Sequence, residues 1–564
     1  MFTQESPHQE KSNLQFCHDL VTDRLSFTIY VSFPPSAPSS NIDAWSAALT
    51  GLHDWKKVDF EALDASSLQA LQNIEVHEKI FIHAFLRLSQ VFFTLVRLPV
   101  FDLPVIQKFS KTDSSLGKYQ LDILVPATQG IALHVYKKIL SVALDVCAWI
   151  MKYPATLPNK KHVFDTVEQK LIQPLMPFVP AGKSTIPTLR VACELGIPFL
   201  HIGLGIYQLG WGSQAVILDR STTLRDSAIG VRLTQSKVST ANVLKMAGLP
   251  APVHISVSTV QQASTAAEQI GFPVVVKPID QERGEGVTVD IRDNETLKTA
   301  FFSACDKTPS RKVLVERQVA GVCHRIFIVG KQLLYAVKRL PISVQGDGVK
   351  SIEQLVVDHA AAQTLIAPWL REEAQTLDDL ARATLAKANL TEDSVPLPGT
   401  WVPLRPIEST AWGGIDEDVT IHIHPENVSA AVTAAALFGL HTAGVDMISA
   451  DITQPWYENG AVINEVNFAP LLGGAEISRS YLPAFFAHIM HGDGRIPIEY
   501  VDQLEAAKKR QESLKIKGLR CFITTPYQTF DATGNLLALP FDGLKQRCMA
   551  LIYRSEVDAI VLAP

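Results

Sequence analysis

Two β-branched runs, Val274-Val275-Val276 and Val287-Thr288-Val289, flank a charged, glycine-spaced stretch. Each predicts a short buried strand, because three consecutive valines suit a strand covered on both faces. Downstream, VLVERQVAG predicts a strand ending at Glu316, and HRIFIVGKQLLYAVKR predicts two strands in a hairpin around Gly330. GDG at 346–348 is a turn signal. SAAVTAAALFGL then predicts a helix, and HTAGVDMI and AVINEVN predict strands. Alternation in AVINEVN puts Glu465 and Asn467 on one face. Asp446 lies inside the apolar HTAGVDMI strand, where an unpaired carboxylate is costly.

Toward the amino terminus the pattern changes. Residues 1–160 hold an apolar run broken by charges, IFIHAFLRLSQVFFTLVRLPVF, and an amphipathic helix, HVYKKILSVALDVCAWIMK. Residues 161–236 alternate helix and strand, as in TLRVACELG followed by GIPFLHIG. From Ile197 to Leu218 there is no Asp, Glu, Lys or Arg, which imitates a membrane span. His201, Gln208, Ser213, Gln214 and four glycines in that stretch are poor material for insertion, so it is read as soluble core.

Composition narrows the class. A chain of 564 residues exceeds what one hydrophobic core serves, which predicts three or four domains. With 47% hydrophobic and 19% charged residues it reads as globular, and a formal charge of −6 argues against binding nucleic acid through phosphate contacts. The amino terminus shows no secretory signal, and seven scattered cysteines without a CxxC pair suit a reducing, cytoplasmic location.

Three places carry candidate chemistry. Lys277-Pro278 ends a buried strand and is followed by a loop with Gly284 and Gly286. Such a loop either wraps an anion with its backbone N–H groups or is an ordinary hairpin with a salt-bridged lysine, and both readings stay open. Ala181-Gly182-Lys183-Ser184-Thr185 resembles the tail of a P-loop, but Pro177 stands where that motif needs glycine, so a Ser/Thr helix cap is expected. Asp446, Glu465 and Asn467 offer three oxygens on neighbouring strands, which suits Mg²⁺. The competing reading pairs Asp446 with a basic residue and leaves the other two facing solvent.

Taken in order, Lys237, Lys277-Pro278, the Gly284/Gly286 loop, Glu316, Arg325, Arg339, GDG, Arg405 with Gly413-Gly414, Asp446 and EVN467 resemble the ATP-grasp ligases. Within them the chain is similar to the ATP-grasp half of cyanophycin synthetases, with bifunctional glutathione synthetases a step away. The resemblance implies an α/β fold with α+β subdomains, in which an ATP-grasp fold follows an N-terminal α+β domain. The expected division is 1–160 as an N-terminal domain, 161–236 as a pre-ATP-grasp region, 237–495 as the ATP-grasp domain, and 496–564 as a truncated muramyl-ligase-like segment without a P-loop.

By the same resemblance, Lys237 and Lys277 contact ATP phosphates and the 280–286 loop, with Gly284 and Gly286, closes over them. Glu316, Arg317 and Val319 lie in the hinge that reads adenine, and position 323 faces the ribose. Asp446, Glu465 and Asn467 hold Mg²⁺. Arg339 and Arg405 steady the acyl phosphate made from a carboxylate, which an amine then converts to an amide. The implied partners are ATP, Mg²⁺ and amino-acid or peptide substrates, with no nucleic acid and no membrane; a homo-oligomer is left open.

The chain departs from its relatives at several points. Cys323 replaces an acid seven residues after the hinge glutamate, and Ser409 replaces an asparagine. DHAAAQTLIAPWLREEAQ and FAPLLGGAEISRSY replace segments where substrate specificity is expected. Asp502-Gln503-Leu504-Glu505 stands where a glycine-rich phosphate loop would follow, and a helix there cannot cradle phosphate as a glycine loop does. Three functions remain: an amide-forming ligase, a nucleotide-binding pseudoenzyme, and a cyanophycin-like polymer synthetase.

Overall fold

The computed structural model describes residues 24–32, 44–45, 48–49, 65–72, 75–113, 118–178, 184–281, 285–372, 374–408 and 414–564. The chain forms two compact units, one of residues 1–220 with 489–564 and one of residues 221–488.

In the first unit an antiparallel sheet of three strands runs Arg24–Ser32, Lys118–Pro126, Val105–Asp113, with Lys118–Pro126 in the middle. The predicted amphipathic helix is Leu133–Lys152, which buries Val135, Ile139, Val142, Val146 and Ile150 at helical spacing. The uncharged stretch from Ile197 forms short antiparallel strands, Phe199–Gly203, Ile206–Leu209 and Val216–Asp219. No helix among the described residues is long and apolar enough to cross a membrane. Ser184 stands at the N-cap of the Thr185–Glu194 helix without bonding its backbone as a cap, while Ala181, Gly182 and Lys183 lie outside the described residues.

The carboxyl-terminal residues belong to this same unit. Ile498–Tyr500, Ala559–Leu562 and Cys521–Thr524 pair in parallel, and the helix Leu504–Ile516 occupies the position after Asp502-Gln503. Leu200 and Trp211 share one core with Ile496, Phe522, Leu551 and Ile560. Backbone bonds fasten the contact: Trp211 N–H donates to Gly494 O and Ser213 N–H to Val557 O, each at 2.8 Å. The 489–564 segment therefore completes the core under the 197–218 strands. Trp211→Ala should destabilise this unit by about 3–5 kcal/mol, as large-to-small changes in a filled core do. Urea unfolding followed in the first unit measures it, and a loss within experimental error would show that the segment is not part of the core.

The second unit contains two sheets and a small module. The first sheet runs Thr288–Ile291, Val274–Pro278, Val313–Arg317, His254–Val257, all antiparallel, over helices Val260–Ile270 and Asn294–Lys307. The two β-branched runs are thus neighbours in one sheet, but the second strand starts at Thr288 and its Thr288 and Val289 are half-buried rather than buried, and the strand read as ending at Glu316 extends one residue further. The second sheet runs Gly414–Asp418, Gln332–Pro341, Val322–Val329, Thr442–Ser449, Val462–Phe468. Gly330 and Lys331, at φ +56° and +69°, form the two-residue turn expected between its hairpin strands. The helix Pro425–Leu437 packs on one face through Ala430, Ala431, Ala434 and Ala435, whose small side chains let it sit close against Ile326, Val445 and Met447. The small module pairs Ser343–Gln345 with Trp401–Pro403 and packs helices Ile352–Thr364 and Asp379–Lys387 around Ile352, Leu385 and Leu404.

Candidate active site

The face of the five-stranded sheet turned away from the alanine-rich helix collects the polar residues. Register alone aligns most of them: Asp416 opposes Arg339, Arg339 opposes Cys323, Arg325 opposes Asp446, and Asp446 opposes Glu465. Asn467 opposes Gly444, one step along the same face. Asp446 is 4% exposed, and its carboxylate accepts from Arg325 through Nε–H and through Nη2–H at 2.8 Å. Asn467 Nδ2–H donates to the same carboxylate at 3.3 Å. Burial opposes the charge on Arg325, but the adjacent carboxylate outweighs it, and the guanidinium is held even more firmly protonated than usual. The expectation that a basic residue pairs with Asp446 and the expectation that Asp446, Glu465 and Asn467 share a face thus describe one arrangement.

That arrangement depends on an irregularity. Strict alternation would place Ile463 beside Glu465, yet Ile463 is fully buried in the core on the helix side. The ladder shifts between Asp446 and Met447, which oppose Glu465 and Ile463, and Asn464 is the extra residue. A bulge of this kind re-aims the side chains beyond it. It turns Ile463 inward and Glu465 outward, and it frees Asn464, whose Oδ1 accepts from Lys277 Nζ at 3.4 Å.

Lys277 lies at the end of its buried strand and is itself buried, 8% exposed. Its Nζ is 2.8 Å from Glu316 Oε2, so the salt-bridged lysine of the simpler reading exists. Lys237, the first residue of a helix capped by Ser236, donates from Nζ to the backbone oxygen of Gln281 at 2.7 Å, which ties it to the start of the glycine loop. Gly284 lies outside the described residues. Gly286 has φ +70°, and a Cβ there would lie 2.8 Å from Pro278, so both conformation and space require glycine. Arg317 turns its guanidinium to the Ile270 carbonyl at the end of a helix, and Val319 is half-buried.

The two arginines assigned to the acyl phosphate differ. Among the described residues nothing hydrogen-bonds the guanidinium of Arg339, which lies half-buried with Glu408 and Asp416 in electrostatic range. Arg405 is engaged elsewhere. It is buried beside the small module, where it donates to Asp378 Oδ2 at 3.0 Å, Thr376 Oγ1 at 2.8 Å and the Leu404 carbonyl. None of these three partners lies on the sheet face.

Cys323 is 7% exposed, and burial pushes its thiol well above the usual range, with Asp446 and Glu408 adding to the shift. Glu408 interacts with it electrostatically, and burial raises that carboxyl too. The neighbouring His324 points to the opposite, apolar face, and Asp280 bonds Thr308 and Ser310. Ser409 and Gly413 lie outside the described residues. Cys323→Asp would bury a second carboxyl against Glu408, forcing the pair to share a proton. Both acids would then have folded-state pKa values above their unfolded ones, so the variant's deficit should grow as pH rises. Its melting temperature should fall further below wild type at pH 8 than at pH 5; equal deficits at both would remove Glu408 from contact with position 323.

Sequence reasoning left four participants without a role: Arg325, Asn464, Glu408 and Asp416. Arg325 stood in the ordered series, whereas the other three carry no motif. The same face bears a stack of rings, with Phe327–Tyr335 and Tyr335–Tyr481 centroids each 5.1 Å apart.

Among the described residues no three His, Cys, Asp or Glu side chains converge to hold a metal. Asp446 and Glu465 with the Asn467 amide still fit Mg²⁺, which takes one or two carboxylates and completes its shell with phosphate and water.

Residues 236–328 match the family described as "Carbamoyl-phosphate synthase L chain, ATP binding domain". Over 301 residues the chain is 32% identical to the cyanophycin synthetase of Trichormus variabilis, which covers 51% of this chain and 32% of that protein. The central region is thus similar to an ATP-binding domain and to cyanophycin synthetase. The chain is also 30% identical, over 259 residues, to the glutathione biosynthesis bifunctional protein of Mannheimia succiniciproducens, covering 44% of this chain and 34% of that one. The crystal structure of a bifunctional glutathione synthetase from Pasteurella multocida aligns with 20% identity and a TM-score of 0.42, over 66% of this chain and 64% of that one. The chain spans about a third of the length of the curated relatives it matches.

Proposed function

We propose that the chain is an ATP-dependent carboxylate–amine ligase acting on amino acids or a short peptide in the cytoplasm. A substrate carboxylate oxygen attacks the γ-phosphorus of ATP, the bond to ADP breaks, and an acyl phosphate forms. An amine nitrogen then attacks the acyl carbon, phosphate leaves, and the amine gives up a proton. This chemistry asks the protein for positioning and charge neutralisation more than for a nucleophile.

The observation that carries the reading is the guanidinium of Arg339, which no described residue hydrogen-bonds, on the same sheet face as Arg325, Asp446, Glu465 and Asn467. Arg339 is placed to neutralise charge on a transferred phosphoryl group. Lys277 and Lys237 lie on the ATP side, where each has only to exchange an internal acceptor for a phosphate oxygen. Asp446, Glu465 and Asn467 would hold Mg²⁺, which supplies Lewis-acid neutralisation of the phosphates. The hinge Glu316–Val319 begins at the end of the Val313–Arg317 strand, with the Lys277 partner Glu316 as its first residue, which suits adenine recognition by the backbone.

Incubation of the full chain with ATP, Mg²⁺ and all pairs of amino acids, read by ADP release and product mass, tests the reading. ADP together with an amide product supports the ligase. Nucleotide binding without turnover on any pair would assign a pseudoenzyme, and long polymers would assign a cyanophycin-like synthetase.

A further inference from the structure

We propose that Arg325 is a positioning residue that keeps the Asp446 carboxylate closed to a free divalent cation, so that the cation enters only together with a nucleotide. The proposal rests on the ligase reading above. A carboxylate offers about four acceptor positions on its two oxygens. Three at Asp446 are filled: Arg325 Nε–H at Oδ1, and Arg325 Nη2–H and Asn467 Nδ2–H at Oδ2. Asn467 also turns its amide nitrogen, not the oxygen a cation would take, toward the carboxylate. In this state Asp446 keeps one acceptor position, Asn467 presents its nitrogen, and no described residue hydrogen-bonds Glu465.

The place of the guanidinium is built into the neighbouring strand. Gly444 lies two residues before Asp446 on the same face, and a Cβ there would stand 3.0 Å from Arg325 Cδ, 3.2 Å from its Nη1 and 2.9 Å from Pro470 Cβ. Its backbone is not in the left-handed region, so the conformation does not ask for glycine; the space for the arginine does. Two residues from different strands thus combine to lay the guanidinium over Asp446.

A nucleotide changes the competition. Phosphate oxygens bind an arginine fork as well as a carboxylate does, and they also coordinate the cation. Arg325 can then exchange Asp446 for phosphate while Asp446 turns to the cation, so that each displaced charge finds an opposite partner. A cation arriving alone brings no acceptor for the displaced guanidinium.

The probe is Mn²⁺, whose free concentration is read by electron paramagnetic resonance on the full chain, with and without ADP. Wild type should bind Mn²⁺ at least about tenfold more weakly without ADP than with it. Arg325→Lys keeps the charge but loses the two-pronged grip, and Gly444→Ala crowds the guanidinium without altering any charge. Each should narrow that ratio to about threefold or less by strengthening ADP-free binding. Equal Mn²⁺ affinity with and without ADP in wild type, or an unchanged ratio in both variants, overturns the proposal. Thermal melts establish which variants are folded, and Gly444→Ala alone decides the matter if Arg325→Lys is not. Calorimetric titration with ADP separates the two levels: no ADP binding at any cation concentration defeats the ligase reading itself, whereas bound ADP with unmoved variants defeats only the role of Arg325.

Discussion

Replacing Lys277 with alanine should abolish ATP-dependent ADP release from the full chain. The reasoning has two parts. Lys277 is the cation proposed to meet the phosphates at the end of its strand, and the 496–564 segment has a helix where a phosphate loop would be needed to supply background turnover. The alanine variant also leaves Glu316 buried without its partner, which costs about 3–5 kcal/mol and would confound the result with unfolding. The informative protein is therefore the double variant Lys277→Met, Glu316→Gln, which removes both charges together. It should melt close to wild type and release no ADP above the buffer blank. Turnover within about tenfold of wild type in that folded variant would show that ATP is used elsewhere or that the lysine is only structural.

The second large effect belongs to Glu465. Asp446 is the more obvious target, but Asp446→Asn strips the half-buried Arg325 of its counter-charge, so lost activity and lost stability would arrive together. Glu465 opposes Asp446 across the strands and is half-buried, so Glu465→Gln removes one negative charge at nearly constant shape. Turnover should fall about a thousandfold, roughly 4 kcal/mol, because the interaction lost is worth most when phosphate charge is being moved. The melting temperature should stay within a few degrees of wild type. Full activity in this variant at saturating Mg²⁺ would remove Glu465 from the site.

What could be read in advance follows the range of the forces involved. The valine run announced the 274–278 strand, and with it a lysine at a buried strand end. Period-two alternation brought Glu465 and Asn467 to one face, and the cost of a lone buried carboxylate foretold a basic partner for Asp446. These signals are local. Arg325 as that partner, Glu408 beside Cys323 and Asp378 on Arg405 depend on which strands and loops become neighbours, and composition or periodicity does not carry that information. The same holds for the carboxyl-terminal segment, whose helix was legible but whose union with Leu200 and Trp211 was not. Asn464 is the instructive miss, since the very alternation that placed Glu465 correctly would have put Ile463 on the wrong side.

That extra residue separates the lysine contact from the rest of the site. Excising Asn464 would make Ile463 and Glu465 consecutive, and a regular strand turns consecutive residues to opposite faces, so both would keep the faces they hold now. What such a deletion removes is the Asn464 Oδ1 that accepts from Lys277 Nζ. Deleting Val466 instead would make Glu465 and Asn467 consecutive and part them to opposite faces, so along this ribbon the position of a lost codon matters more than the loss itself.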